Sequence, residues 1–228
     1  MASLSKNFSF ANLQNFILDV YGFPDDRLFS LSDLVSNQER FTMRALKGIR
    51  KRDPKKLKIN ILIALSWFVA VANRMHVNLD AVIWRRFPYL CSYCRKVPCK
   101  CSKVKRKERG ILKVDAKNKP KTFLDFQKMF SEIYPYENRT LDEVGVHLAE
   151  EMGELSEAIH IFLGEHKESQ FIEIENEMAD YISCIFGVAN SSGINISNEL
   201  EKTYKNNCHI CHKSPCVCSF SSVAKFKS

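Results

Sequence analysis

The sequence predicts an all-α protein in which one unit of roughly 105 residues runs twice. Three observations lead there. Apolar residues recur at helical spacing, and no segment alternates cleanly with a period of two. The chain holds 8 Gly and 7 Pro in 228 residues, too few for a turn-dense β-sandwich. The pattern C-x2-C-x4-C-x-C occurs at Cys91, Cys94, Cys99 and Cys101 and again at Cys208, Cys211, Cys216 and Cys218, with Pro98 and Pro215 before each third cysteine.

The elements follow in order. LQNFILDVY, from Leu13-Gln14 to Tyr21, matches FQKMFSEIY, from Phe126-Gln127 to Tyr134, at an offset of 113. Ser30-Leu31 opens one long helix and Thr140-Leu141 the other, with Thr140 and Glu143 forming a T-x-x-E capping box. The apolar run 59–72, interrupted by Asn60 and Ser66, is too short to span a bilayer and reads as a buried helix. At the offset of 117 set by the cysteines, Val71-Ala72-Asn73 matches Val188-Ala189-Asn190, and Asn78 matches Asn195. In the second copy the periodicity predicts helices over 123–134, 140–163, 169–190 and 197–206, with Gly193 closing the third. The Lys-rich stretch 102–121 reads as a linker. The expected organisation is therefore two tandem four-helix units, 1–109 and 120–228, packed as an intrachain pseudo-dimer and each ending in a cysteine motif.

Four thiolates within eleven residues can wrap one tetrahedral Zn²⁺, which makes each cluster a zinc knuckle candidate. An iron–sulfur cluster or redox thiols are the alternatives, and His209 or His212 could replace a thiolate in the second. Cys184 stands alone in an apolar stretch and reads as a core residue. The N-terminus has neither an h-region nor a cleavage site, so the expected location is cytoplasmic, with no membrane partner.

Charge is divided unevenly. Residues 1–114 hold 23 basic and 8 acidic side chains, net +15, and residues 115–228 hold 11 and 18, net −7, which together give the chain's +8. A basic half is a candidate nucleic-acid surface, and a solvated cationic face is the plainer alternative.

The second copy carries Glu150-Glu151-x-x-Glu154 on its long helix and Glu177-x-x-Asp180 on the next. Residues three or four apart share a helix face, so neighbouring helices can bring Glu151, Glu154, Glu177 and Asp180 to one point. Carboxylates so gathered suit Mg²⁺, while a solvated acidic face is the alternative.

LAEEMGELSEAI, then IENEMADYISCIFGVANSSGINI and LEKTYKNN, resemble the MazG-type all-α nucleoside triphosphate pyrophosphohydrolases over about residues 141–206. The resemblance implies Mg²⁺ held by Glu151, Glu154, Glu177 and Asp180, with Glu150 as a further acid. It also implies hydrolysis of a nucleoside triphosphate to monophosphate and pyrophosphate. By the same carry-over Lys202, Lys205 and Asn206 would face substrate, and paired units suit a fold in which such units dimerise. In the first copy Asn60 and Ile63 replace Glu177 and Asp180, and offsets of 110, 111 or 112 replace the other motif without keeping all three acids, so that copy is expected to be inactive. Its stripe of Arg40, Arg44, Lys47 and Lys51 would serve substrate phosphate or a nucleic acid, with Arg40 and Arg44 the better phosphate ligands. The expected partners are a nucleotide substrate, nucleic acid on the basic half and a second copy of the chain. The competing function is a non-catalytic nucleic-acid-binding or regulatory zinc protein on the same scaffold.

Overall fold

In a computed structural model that describes residues 4–5, 7–101 and 116–224, the chain is 71% helical and has no strand among the described residues. The helices are α1 (Phe10–Ile17), α2 (Phe23–Leu28), α3 (Leu31–Arg50), α4 (Pro54–Arg74), α5 (Leu79–Arg86), α6 (Phe123–Ile133), α7 (Leu141–Glu165), α8 (Glu168–Ser191), α9 (Ile196–Thr203) and α10 (Phe220–Ala224). A π turn, Leu18–Gly22, joins α1 to α2.

The starts of the helices repeat. Ser9 caps α1 as Thr122 caps α6, each in a reciprocal box with the residue three positions on, Asn12 or Asp125. Ser30 with Asp33 opens α3 as Thr140 with Glu143 opens α7. The second pair fixes the offset between α3 and α7 at 110. A half-buried polar clamp repeats as well. Gln14 donates to Asn73 Oδ1 at 3.0 Å, and Asn73 donates back to the Gln14 carbonyl at 2.9 Å. Gln127 and Asn190 form the same pair at 3.0 and 3.2 Å.

The chain divides into two compact units that do not follow the repeat: Met1–Asn78 with Ile194–Ser228, and Leu79–Gly193. The boundaries 1–109 and 120–228 mark the sequence repeat but not these units. The leading helices of each repeat, α1 to α4 in one and α6 to α8 in the other, are grouped with the last long helix and cysteine cluster of the other repeat. The linker expected at 102–121 lies outside the described residues up to 115; beyond it, Ala116–Asn118 forms a 3-10 turn and Lys119 pairs with Asp80 of α5.

In the first unit α4 is the central helix. By length and composition it could cross a membrane, contrary to the reading of the shorter apolar run, but 72% of its apolar window is buried inside the unit. Tyr204, just past α9, is buried at an edge-on contact with Phe16 and shares a 2.6 Å hydrogen bond with Ser66. In the second unit α8 is central, and Phe87, the counterpart of Tyr204, packs edge-on against Phe130. Replacing Asn190 with Ala should remove both hydrogen bonds of its clamp and lower the unfolding free energy by about 2 kcal/mol, read as a fall in the urea midpoint. An unchanged midpoint would mean that the clamp contributes nothing.

Candidate active site and cysteine knuckles

α7 and α8 lie side by side in the second unit, and their facing turns bring acids together. Carboxylate oxygens of Glu151, Glu177 and Asp180 lie within 4.8 Å of one another. Asp180 is buried, and Glu151 and Glu177 are half-buried. Glu154 and Glu150 are exposed on the flank of this trio, and the Glu150 carboxylate stands 4.0 Å from His147 Nδ1. The sequence-predicted set therefore converges in three members, with Glu154 alongside.

Burial pushes the Glu151 carboxyl up to about 8, helped by the charges of Asp180, Glu154 and Glu177 and opposed by Arg86. Glu177 rises to about 7, through burial first and then Asp180 and Glu154. Burial also raises Asp180, against the pull of Arg86. One oxygen of Glu151 and one of Glu177 are buried without a hydrogen-bond partner, an arrangement that costs free energy unless a cation arrives.

Arg86 is the nearby cation the sequence reading missed. Its Nε donates to Asp180 Oδ1 at 3.1 Å and its Nη2 pairs with Oδ2, a two-pronged grip on a nearly buried carboxylate. Arg85 next to it bonds Glu175 at 2.8 Å. Both belong to α5, which the repeat assigns to the first copy. By the 117-residue offset, Arg85 stands where α9 has Lys202. Lys202, Lys205 and Asn206 are in the first unit with Arg40 and Arg44, whereas the acids are in the second.

A cavity of about 510 Å³ in the second unit opens over Glu151 and Asp180. Glu150, Glu154, Arg139 and Tyr136 line it, and so do Ser92 and Tyr93 from the first cysteine cluster. Tyr93 is close enough to the acids for their charge, after burial, to raise its hydroxyl. Cys184, expected in the core, stands on the cavity wall.

In the first unit the equivalent space is a cavity of only about 60 Å³. Phe41 and Ile63, the counterparts of Glu151 and Asp180, form a buried cluster there with Ala64, and Trp67 packs on it in the place of Cys184. Asn60, the counterpart of Glu177, is buried and donates to the Lys56 carbonyl at 2.6 Å. Core has replaced the carboxylates.

The cysteine clusters are nearly superimposable in chemistry. Sulfur separations are 3.5 to 3.9 Å in both. A tetrahedral zinc with Zn–S of about 2.3 Å requires S···S of about 3.8 Å, whereas a disulfide needs about 2 Å. Each cluster could hold one zinc ion. Neither His209 nor His212 belongs to the second set; His209 Nδ1 instead meets the Tyr21 hydroxyl at 3.3 Å. Backbone N–H groups of Lys100, Cys101, Ile210 and Cys218 point at the sulfurs and would steady thiolates. Both knuckles dock alike, through Cys99 N–H to the Ile133 carbonyl and Cys216 N–H to the Val20 carbonyl, each at 2.7 Å.

The chain matches no family model, no curated protein and no solved structure.

Two measurements follow from this geometry. Purified protein should carry two zinc ions per chain, and Cys94→Ser and Cys211→Ser should each lose one and lower the melting temperature. Elemental analysis finding no metal, with all eight thiols freely titratable, would overturn the knuckles. The second measurement concerns pH in a chelating buffer. Because Glu151 titrates higher in the folded chain than its ordinary 4.5, its share of stability is full below that value and is lost as pH rises through about 8. Glu151→Gln should flatten that decline in melts taken across the same range.

Proposed function

We propose that the second unit is a Mg²⁺-dependent hydrolase that cleaves a nucleoside triphosphate to the monophosphate and pyrophosphate. The observation that carries this reading is the convergence of Glu151, Glu177 and Asp180, two of which, Glu151 and Asp180, stand on the wall of a cavity large enough for a nucleotide. An all-oxygen donor set, two of its buried oxygens unpartnered, suits a hard divalent cation.

Mg²⁺ held by these three carboxylates would supply Lewis-acid polarisation of phosphate oxygens and a water of lowered pKa. The protein's own groups do the rest. Arg86 orients Asp180 and offers a fixed positive charge beside the place where phosphate charge develops. Glu150 and Glu154, exposed on the cavity wall, are placed to accept the proton of the attacking water. That water adds to the α-phosphorus, the bond to the bridging oxygen breaks, and pyrophosphate leaves. Arg139, whose guanidinium lies 4.9 Å over the Tyr134 ring, can take the departing phosphates. Tyr93 and Tyr136, both largely exposed on the cavity wall, present ring faces to a base.

The test is pyrophosphate release from a panel of ribo- and deoxyribonucleoside triphosphates, with and without Mg²⁺. Glu151→Gln and Asp180→Asn should each lower turnover at least about a hundred-fold without loss of helix content. Arg86→Ala should lower turnover as well. No release from any nucleotide, or wild-type rates in the carboxamide variants, would leave the non-catalytic reading.

A further inference from the structure

α3 and α7 are the same helix of the repeat, with the same capping box, yet their charges are opposite. Glu150, Glu154 and Glu157 of α7 stand where α3 has Arg40, Arg44 and Lys47. Arg40 and Arg44 are used internally. Arg40 donates to the Val223 carbonyl at 2.9 Å, and the two guanidinium groups lie 4.7 and 5.1 Å over the Phe41 ring. Those contacts engage Arg40 and Arg44 locally, and the exposed cations lie further along the helix.

Those cations gather at the turn between α3 and α4. Only residues 51–53 separate the helices. The closure is tight because Gly48 has no side chain: a Cβ there would meet the Leu57 backbone nitrogen at 2.6 Å. Lys47, Arg50, Lys51, Arg52 and Lys55 are consequently crowded onto one end, all exposed. The one acid among them, Asp53, is occupied as the cap of α4, where Oδ1 accepts from Lys56 N at 3.0 Å.

Helix energetics account for only part of this charge. Cations at the C-terminal end of α3 are favoured by its dipole. At the start of α4 the dipole favours acids, yet the first turn has none and carries Lys55 and Lys56. The matching turn of the second unit does the opposite, with Glu168 in the first turn of α8 and Lys167 neutralised by Glu165 at 2.5 Å. The fold thus closes this hairpin without a cationic tip, and the first unit carries one at some expense to α4.

We propose that the α3–α4 tip of the first unit is a nucleic-acid-binding surface that grips backbone phosphates without reading bases. Five cations with no large exposed apolar side chain among them suit a polyphosphate. A lipid surface calls for an apolar face beside the charges, and a protein interface calls for an apolar centre. The proposal is independent of the hydrolase reading, since it uses none of that site's residues.

The experiment is fluorescence anisotropy of the full chain with labelled mixed-sequence probes of about 20 nucleotides, duplex DNA in one arm and single-stranded RNA in the other, over roughly 50 to 200 mM salt. A Lys47→Ala, Lys51→Ala, Arg52→Ala, Lys55→Ala variant should bind at least about ten-fold more weakly. Its log–log salt slope should shrink by about 3 to 4, at slightly under one unit per lost phosphate contact. Melting temperature should not fall, and pyrophosphate release should be unchanged. If the alanine variant does not fold, Lys51→Glu/Lys55→Glu should show the same loss. Equal affinity and slope in both variants would overturn the proposal. So would wild-type protein binding polyglutamate, or phosphatidylserine vesicles, as tightly as either nucleic acid.

Discussion

Three carboxylates cannot share a partly buried point in ionised form unless positive charge is brought to them. In the second unit that requirement is met by the pairing of Arg86 with Asp180, and much of the surrounding arrangement serves it. α5 is short and would be marginal alone, but its buried residues Leu79, Val82, Ile83 and Trp84 anchor it so that its last turn reaches α8. The chain then passes Phe87, buried against Phe130, and enters the knuckle that contributes Tyr93 to the cavity. Helix packing, ion pairing and cysteine chemistry therefore act on the same few residues.

The contrast between the units shows what happens when the requirement is removed. With Phe41, Ile63 and Trp67 in the place of Glu151, Asp180 and Cys184, no balancing cation is needed, and the cavity shrinks to about 60 Å³. The scaffold persists through this change because its specifying features are elsewhere, in the capping boxes, the Gln–Asn clamps and the knuckles. A helix pair can exchange a hydrophilic site for packed core as long as its ends and its polar clamp remain.

Much of this was readable from the residues. Thr140 and Glu143 announce a helix start by local chemistry, and the paired Gln-to-Asn matches flanked helices that do meet. The cysteine spacing foretold a compact four-sulfur set. Which helices complete which unit was hidden, because repeat matching orders elements along the chain and says nothing of packing across four-residue connections. The resemblance put Lys202 against substrate and Arg86 was overlooked; both occupy the last turn of a fourth helix, and it is Arg86 that belongs to the unit of the acids. Glu154 was grouped with the metal ligands on helix spacing and on the resemblance; spacing fixes a face but not how deeply each side chain sits.

The nested order of the units has a consequence for synthesis. Residues 79–193 form one uninterrupted unit, whereas the other needs residues 194–228 to finish what residues 1–78 begin. A ribosome therefore synthesises everything the acid-bearing unit requires before it synthesises α9. Throughout that interval Ser66 lacks Tyr204, Val20 lacks the knuckle's N–H, and the apolar face of α4 lacks part of its cover. The closure entropy of so long an intervening segment grows only logarithmically with its length. The early helices are the first made and the last completed, and the nascent chain's exposure to chaperones and proteases falls on them.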